Sequence, residues 1–246
     1  MTYAVLSSKA PTECINRLEA LGFCVLTLPP FERLACPVDT HADMLFFHYN
    51  KYIVTHREYY REARDIFDTL EKTCGMTVVL SDDEIKSGYP HDIAYNAVLL
   101  GGSLFSNAKH TSNALLDIMR QKRIHAINVK QGYPACSTLV GRNDLVITAD
   151  TSLSDAYQKC GISVCMISNG SVSLPPYDYG FIGGASGVHG DTVYFAGDID
   201  THSDAEKIKN AITACGKRHV SLSKKPLCDI GGIKFFESNI NNKPSL

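Results

Sequence analysis

RLEALGFCVLTL, at residues 17–28, reads as the last turns of a helix, a glycine and an apolar strand. Four further stretches follow the same plan: TLEKTCGMTVVL (69–80), IMRQKRIHAINV (118–129), AYQKCGISVCMI (156–167) and AITACGKRHVSL (211–222). In four of the five, Gly22, Gly75, Gly161 and Gly216 stand at the junction. The residue after a helix often sits in the left-handed region, which admits glycine and excludes most side chains. Junctions of this kind occur in any α/β protein, so the repeat needs support from the residues ahead of each helix.

That support is a recurring pair of short apolar runs around a polar turn. The pairs are MLFF and YIVT (44–55), AVLL and SLFS (97–106), TLV and LVIT (138–148), and GV and TVYFA (187–196). Each predicts a hairpin. Thr55, Asn107, Thr151, Asp155 and Ser203 are candidate caps for the helices that follow. The repeating unit is therefore strand–turn–strand–helix–strand. Gly22 and Gly216 lie 194 residues apart across four steps, so five units fill the 246-residue chain. The fifth hairpin is split between the chain ends: IKFF (233–236) supplies its first strand and TYAVLS (2–7) its second. Pairing the terminal strands inside one unit closes the ring and protects the edge that an open sheet would leave. The expectation is one domain over residues 1–246, a five-bladed α/β propeller.

Composition narrows the function. Hydrophobic residues make up 44% and charged residues 20%, which fits a globular chain and excludes a disordered one. No run approaches the roughly 18 apolar residues of a membrane span. The start, MTYAVLSSKAPTEC, has neither the charged nor the long apolar region of a secretion signal, so a cytoplasmic protein is expected. A net charge of −2 offers no footprint for nucleic acid or an anionic membrane. Nine cysteines occur without a CxxC pair, which argues for free thiols rather than a zinc site, and neither metal nor cofactor is expected.

Five strand–turn–strand–helix–strand units in a ring resemble the pentein fold of the guanidino-group-modifying superfamily. That superfamily includes arginine and agmatine deiminases, dimethylarginine hydrolases, amidinotransferases and a non-catalytic ribosome anti-association factor. VDTHADMLFF (38–47), KQGYPACS (130–137), PPYDYGFIGGASG (175–187) and LCDIGGIKFF (227–236) look like an uncharacterised bacterial branch of it. The resemblance implies that the segments leading into the hairpins converge on a central cavity. Here those segments carry Asp39, His41 and Asp43; His91, Asp92, Tyr95 and Asn96; Tyr133, Cys136 and Ser137; Phe181, Gly183 and Gly184; and Cys228, Asp229, Gly231 and Gly232.

The resemblance also implies a chemistry. In the hydrolytic members a thiol attacks the guanidinium carbon, a histidine shuttles the proton and carboxylates hold the cationic nitrogens. The family's His-x-Asp motif matches His41-Ala42-Asp43, and an extended backbone would turn both side chains to one side. Cys136 is the candidate nucleophile, 95 residues further on, and His41 the candidate acid and base. Asp43, Asp92, Asn96 and Asp229 are candidate substrate ligands, with Asp92 or Asp229 the partner of His41. The enzymes carry their cysteine in the last unit, whereas this chain has Asp229 and glycines there. The expected function is a cysteine-dependent hydrolase, deiminase or transferase acting on a small guanidino or amidino substrate. The alternative is a non-catalytic protein of the same fold that binds a small molecule or a protein.

Other readings of the same residues stay open. Cys36 and Cys228 rival Cys136, while Cys14, Cys24, Cys74, Cys160, Cys165 and Cys215 are expected in the core. His41, Asp43, His91 and Asp92 offer donors to one divalent metal, at a spacing that is not a compact motif. GFIGGASG (180–187) suits a glycine-lined cavity wall where a ligand approaches the backbone closely. Tyr177, Tyr179 and Phe181 form either an aromatic edge for a ligand or a surface turn, and Asp198 is a candidate cap for a helix over 204–215.

Overall fold

The computed structural model describes residues 1–142 and 144–239. The chain opens with β1 (Thr2–Ser7), α1 (Thr12–Ala20) and β2 (Cys24–Leu28). The first complete unit is α2 (Ala42–Leu45), β3 (Phe46–Tyr49), β4 (Tyr52–His56), α3 (Arg57–Glu62), α4 (Arg64–Cys74) and β5 (Thr77–Ser81). The second is β6 (Val98–Leu100), β7 (Ser103–Ser106), α5 (Asn113–Gln121) and β8 (His125–Asn128). The third is α6 (Pro134–Ser137), β9 (Thr138–Arg142), β10 (Leu145–Thr148), α7 (Thr151–Lys159) and β11 (Ser163–Met166). The fourth is β12 (Ser186–His189), β13 (Thr192–Phe195), α8 (Ala205–Ala214) and β14 (Arg218–Ser221), and β15 (Lys234–Glu237) comes last.

These strands form five three-stranded sheets, in the orders β15-β1-β2, β3-β4-β5, β6-β7-β8, β9-β10-β11 and β12-β13-β14. In every sheet the middle strand is antiparallel to the first, its hairpin partner in four of the five, and parallel to the third, reached through a helix. The fold is the five-bladed α/β propeller expected from the repeat. Its closing pair is in place: Tyr3 faces Phe236, Ala4 faces Phe235 and Val5 faces Lys234.

The junction glycines do what the repeat requires. Gly22, Gly75, Gly161 and Gly216 all take positive φ, between 67° and 90°. The fifth junction keeps the same backbone without glycine, with Arg123 at φ 57°. Capping departs from expectation. Asp150, not Thr151 or Asp155, caps α7 by accepting from Leu153 N, because α7 begins one residue earlier than the pattern suggests. His56 caps α3 by the same logic, and Asp198 caps a short 3-10 turn at Ile199–Thr201 rather than α8.

Middle strands are the most deeply buried: all four residues of β13 and five of the six in β1 are buried. Outer strands such as β8 and β14 are largely exposed, so their apolar residues are fewer. The first strands of all five blades face inward and line a cavity of about 550 Å³ at one end of the hub. Cysteine placement matches this layering for Cys14 and Cys74, which are buried, but Cys160 is exposed at the end of α7.

Candidate active site

A second hub cavity, of about 340 Å³, is built by the segments that lead into the hairpins, and every blade contributes to it. The first unit supplies His41, the second Asp92, the third Tyr133 and Cys136, the fourth Phe181 and the last Asp229. Val38, Met44 and Leu174 add apolar wall, and Tyr177, Asp178 and Tyr179 form the rim. His41, Cys136, Asp92 and Asp229 are each at most 4% exposed. Residues far apart in sequence meet here because each stands at an equivalent point of a ring.

The lead-in segments are not extended. Residues 42–45 and 134–137 are single helical turns, α2 and α6. Tertiary bonds impose them: Asp43 N donates to Gly231 O, Gly184 N donates to Cys136 O, and Ala135 N donates to the Asn96 side-chain oxygen at 2.8 Å. The helical turn separates His41 from Asp43, contrary to the extended reading. His41 lines the cavity that holds Cys136, whereas Asp43 lines the other, larger cavity. The Asp43 carboxyl nonetheless abuts Cys136 from behind, and its Oδ1 makes no hydrogen bond among the described residues.

Cys136 receives one hydrogen bond, from Asn96 Nδ2 at 3.0 Å. Asn96 therefore holds the thiol and its turn, and it does not line the cavity. Burial pushes the thiol well above its ordinary value, and the carboxyls of Asp43 and Asp229 push it the same way. Burial also raises both carboxyls: each is fully enclosed, and Asp229 is raised further by Asp43. His41 is held down to about 4, chiefly by burial and then by the charge of Lys9, so it is an uncharged base at neutral pH. Its Nδ1 lies 3.7 Å from Asp229 Oδ1, which makes Asp229, of the two expected partners, the one that meets His41.

Asp229 is fixed from three directions. Its Oδ2 accepts from Phe181 N at 2.9 Å and its Oδ1 from Gly231 N at 3.0 Å, while its own backbone N donates to Ser173 O. Gly180 and Gly184 pack on it so closely that a Cβ at either position would overlap its side chain. Gly183 lies equally close to the carbonyls of Ala135, Cys136 and Thr138, so the glycines make room for the protein's own side chain and backbone rather than for the ligand that the composition suggested. Asp92 accepts from Tyr133 Oη at 3.1 and 3.2 Å and, like Asp229, is raised by burial. The Tyr133 and Phe181 rings face each other at 6.5 Å and 27° across the opening.

The rival arrangements are not assembled. His91 is exposed and its ring meets His110, away from His41, and no cluster of three metal-binding side chains occurs among the described residues. Cys36 is exposed beside Lys9, and Cys228, although adjacent to Asp229, does not line the cavity. Two contributors escaped the sequence reading: Tyr133 as the donor to Asp92, and Asp178 on the rim. The available signal for Asp178 was its place between Tyr177 and Tyr179 after two prolines.

Ring and blades together define the five-bladed α/β propeller of the pentein fold. A dimethylarginine dimethylaminohydrolase, solved as an adduct with 4-chloro-2-hydroxymethylpyridine, matches with a TM-score of 0.56 at 10% identity, over 90% of this chain and 92% of that one. The amidinotransferase SxtG from the saxitoxin pathway of Microseira wollei matches with a TM-score of 0.52 at 15% identity, over 86% and 76% of the two chains. Agmatine deiminase from C. jejuni matches with a TM-score of 0.51 at 8% identity, over 89% and 75%. At these identities the likeness is one of fold. The chain itself belongs to the Family of unknown function (DUF6873), whose model matches residues 5–234. No curated protein matches it in sequence.

Proposed function

We propose that the protein is a cysteine-dependent hydrolase or transferase, of deiminase type, acting on a small guanidino or amidino cation. The observation that carries this reading is the meeting of Cys136, His41 and Asp229 in one cavity to which all five blades contribute. The three fold relatives named above are, by description, a dimethylaminohydrolase, an amidinotransferase and a deiminase, which supports the same substrate class.

The electrostatics suit a cationic guest. An empty site holds a protonated thiol between carboxyls whose charge is poorly solvated. A guanidinium or amidinium brings the missing positive charge, pairs with Asp229 and lowers the cost of forming the thiolate beside it. His41, neutral and in the same cavity, takes the thiol proton as Cys136 Sγ bonds to the central carbon. It returns that proton to the departing nitrogen as the carbon–nitrogen bond breaks, leaving an S-linked amidino group on Cys136. In hydrolysis His41 then takes a proton from water, whose oxygen bonds to the same carbon, and gives it back to the leaving sulfur. An amine in place of water makes the reaction a transfer.

Alkylation by 2-chloroacetamidine, followed by peptide mass spectrometry, tests the reading. The expected result is one adduct, on Cys136, formed at neutral pH about tenfold or more faster than by neutral 2-chloroacetamide, which carries the same leaving group and lacks the cation that pairs with a buried carboxylate. Cys136→Ser abolishes it. Equal labelling of Cys36 and Cys160 with none at Cys136 overturns the reading and leaves a binding protein on the same fold.

A further inference from the structure

The larger hub cavity, of about 550 Å³, takes no part in the proposed reaction: neither Cys136 nor His41 lines it. Its wall is unevenly charged. Asp43 is the only carboxylate among its described lining residues, against three cations, Arg142, Lys217 and Lys234. His48 adds no charge at neutral pH, since desolvation inside the hub and then the charge of Lys234 hold it down to about 4. The Cys136 cavity has the reverse balance, with Asp92, Asp178 and Asp229 and neither Lys nor Arg among its described lining residues. The three cations come from the third, fourth and last blades, and these are neighbours, since β12 packs on both β9 and β15. The facing side is apolar, with Phe47 from the first blade and Val98 and Leu99 from the second.

The cations are not used up by the protein. Arg142 spends two of its five donors on Asp144. Lys217 Nζ donates to Gly190 O at 2.6 Å, which leaves two of its three protons. Lys234, half-buried at the start of β15, makes no side-chain hydrogen bond or ion pair among the described residues, although its charge acts on Asp43 and His48. An ammonium held in a cavity without a partner lacks the counter-charge that an anionic guest supplies. We infer that this cavity is a second ligand site, for an oxyanion, carboxylate or phosphate, carried on a compact apolar or aromatic body. The anionic group sits at Lys234, with Arg142 and Lys217 adding to its attraction. The body lies against Phe47, Val98 and Leu99 on the other side.

Isothermal titration of the intact protein tests this, with 3-phenylpropanoate and phenyl phosphate as aromatic anions. The comparisons are 3-phenylpropanamide, 3-phenylpropylamine, acetate and inorganic phosphate, which lack the charge, reverse it or lack the body. At least one aromatic anion is expected to bind tenfold or more tighter than all four, and the tighter of the two names the oxyanion. Lys234→Met weakens that binding about tenfold and Lys234→Arg retains it, with the Tm of each empty variant showing that it folds. Arg142→Gln, an exposed change, weakens it about threefold and serves where Lys234→Met does not fold. Saturating anion leaves Cys136 open to 2-chloroacetamide, because the sulfur lines the other cavity. Equal affinity for the anions and the amide, unchanged affinity in the folded Lys234→Met protein, or full protection of Cys136 overturns the inference. The affinities are read without any reaction at Cys136, so failure of the catalytic reading leaves the second site standing.

Discussion

Cys136 sits where a thiolate is hard to form, against Asp43, within the field of Asp229 and away from solvent. Removing one carboxylate charge makes this visible. Asp43→Asn is expected to speed labelling of Cys136 by neutral iodoacetamide about three- to tenfold, since removing a like charge beside the sulfur eases formation of the thiolate. The same variant slows labelling by the amidine cation, because it weakens the field that attracts the probe. A neutral probe and a cationic one moving in opposite directions separate electrostatics from a simple change in access. Stability follows the same group. A carboxyl that burial raises to about 6 favours folding below the ordinary carboxylate range and loses that contribution as pH rises through its raised value. Asp43→Asn is therefore expected to match the parent near pH 4 and to exceed it by about 1–2 kcal/mol at neutral pH, read from urea denaturation at both values. His41, Cys136, Asp92 and Asp229 were legible in the sequence because polar residues at equivalent repeat points are out of place in a structural core. The turning away of Asp43 was not, since its direction depends on a bond from its own backbone to Gly231, nearly two hundred residues on.

The elements that carry the site are the smallest in the molecule. ADML and PACS form single turns held by Gly231, Gly184 and Asn96. A four-residue turn has no periodicity to read, and its backbone answers to partners in other blades, so the sequence suggested strand where there is helix. The longer elements were legible because each helix buries one apolar stripe and ends at a left-handed residue. Two substitutions test this scale. Gly184→Ala places a methyl group inside the carboxylate of Asp229. It is expected to cost about 1–3 kcal/mol in urea denaturation, the range for overpacking, and to abolish amidine labelling of Cys136 by shifting Asp229. Arg123 stands where the other four junctions have glycine. Arg123→Gly is expected to stabilise by about 0.5–1 kcal/mol, raising Tm with no change in labelling, because a left-handed Arg pays a steric cost that glycine avoids.

At the scale of the molecule, the site exists only because the ring is closed. No two of His41, Asp92, Cys136 and Asp229 share a unit, and each reaches the cavity from a different blade. Closure depends on a single antiparallel pair, β15 against β1, between the two ends of the chain. The strand pattern made this pair legible: an orphan first strand at one end and an orphan second strand at the other fit only each other. Its consequence for the site follows from the short link between Asp229 and β15, which passes through Gly231 and Gly232 and lays Gly231 against His41. Ending the chain after Ile233 removes β15, bares the edge of β1 and frees the segment that carries Asp229. The shortened protein is expected to lose its single cooperative urea transition, to self-associate through the bared edge on gel filtration, and to lose preferential labelling of Cys136. A break in continuity elsewhere should do none of this. Six flexible residues inserted between Gly101 and Gly102, in the exposed turn joining β6 to β7, leave every strand pair and every lead-in segment in place. That insertion is expected to cost about 1 kcal/mol or less in loop entropy and to keep the amidine adduct on Cys136. Equal tolerance of the two changes would mean that the terminal strands are ornament and that the site is assembled by local contacts instead.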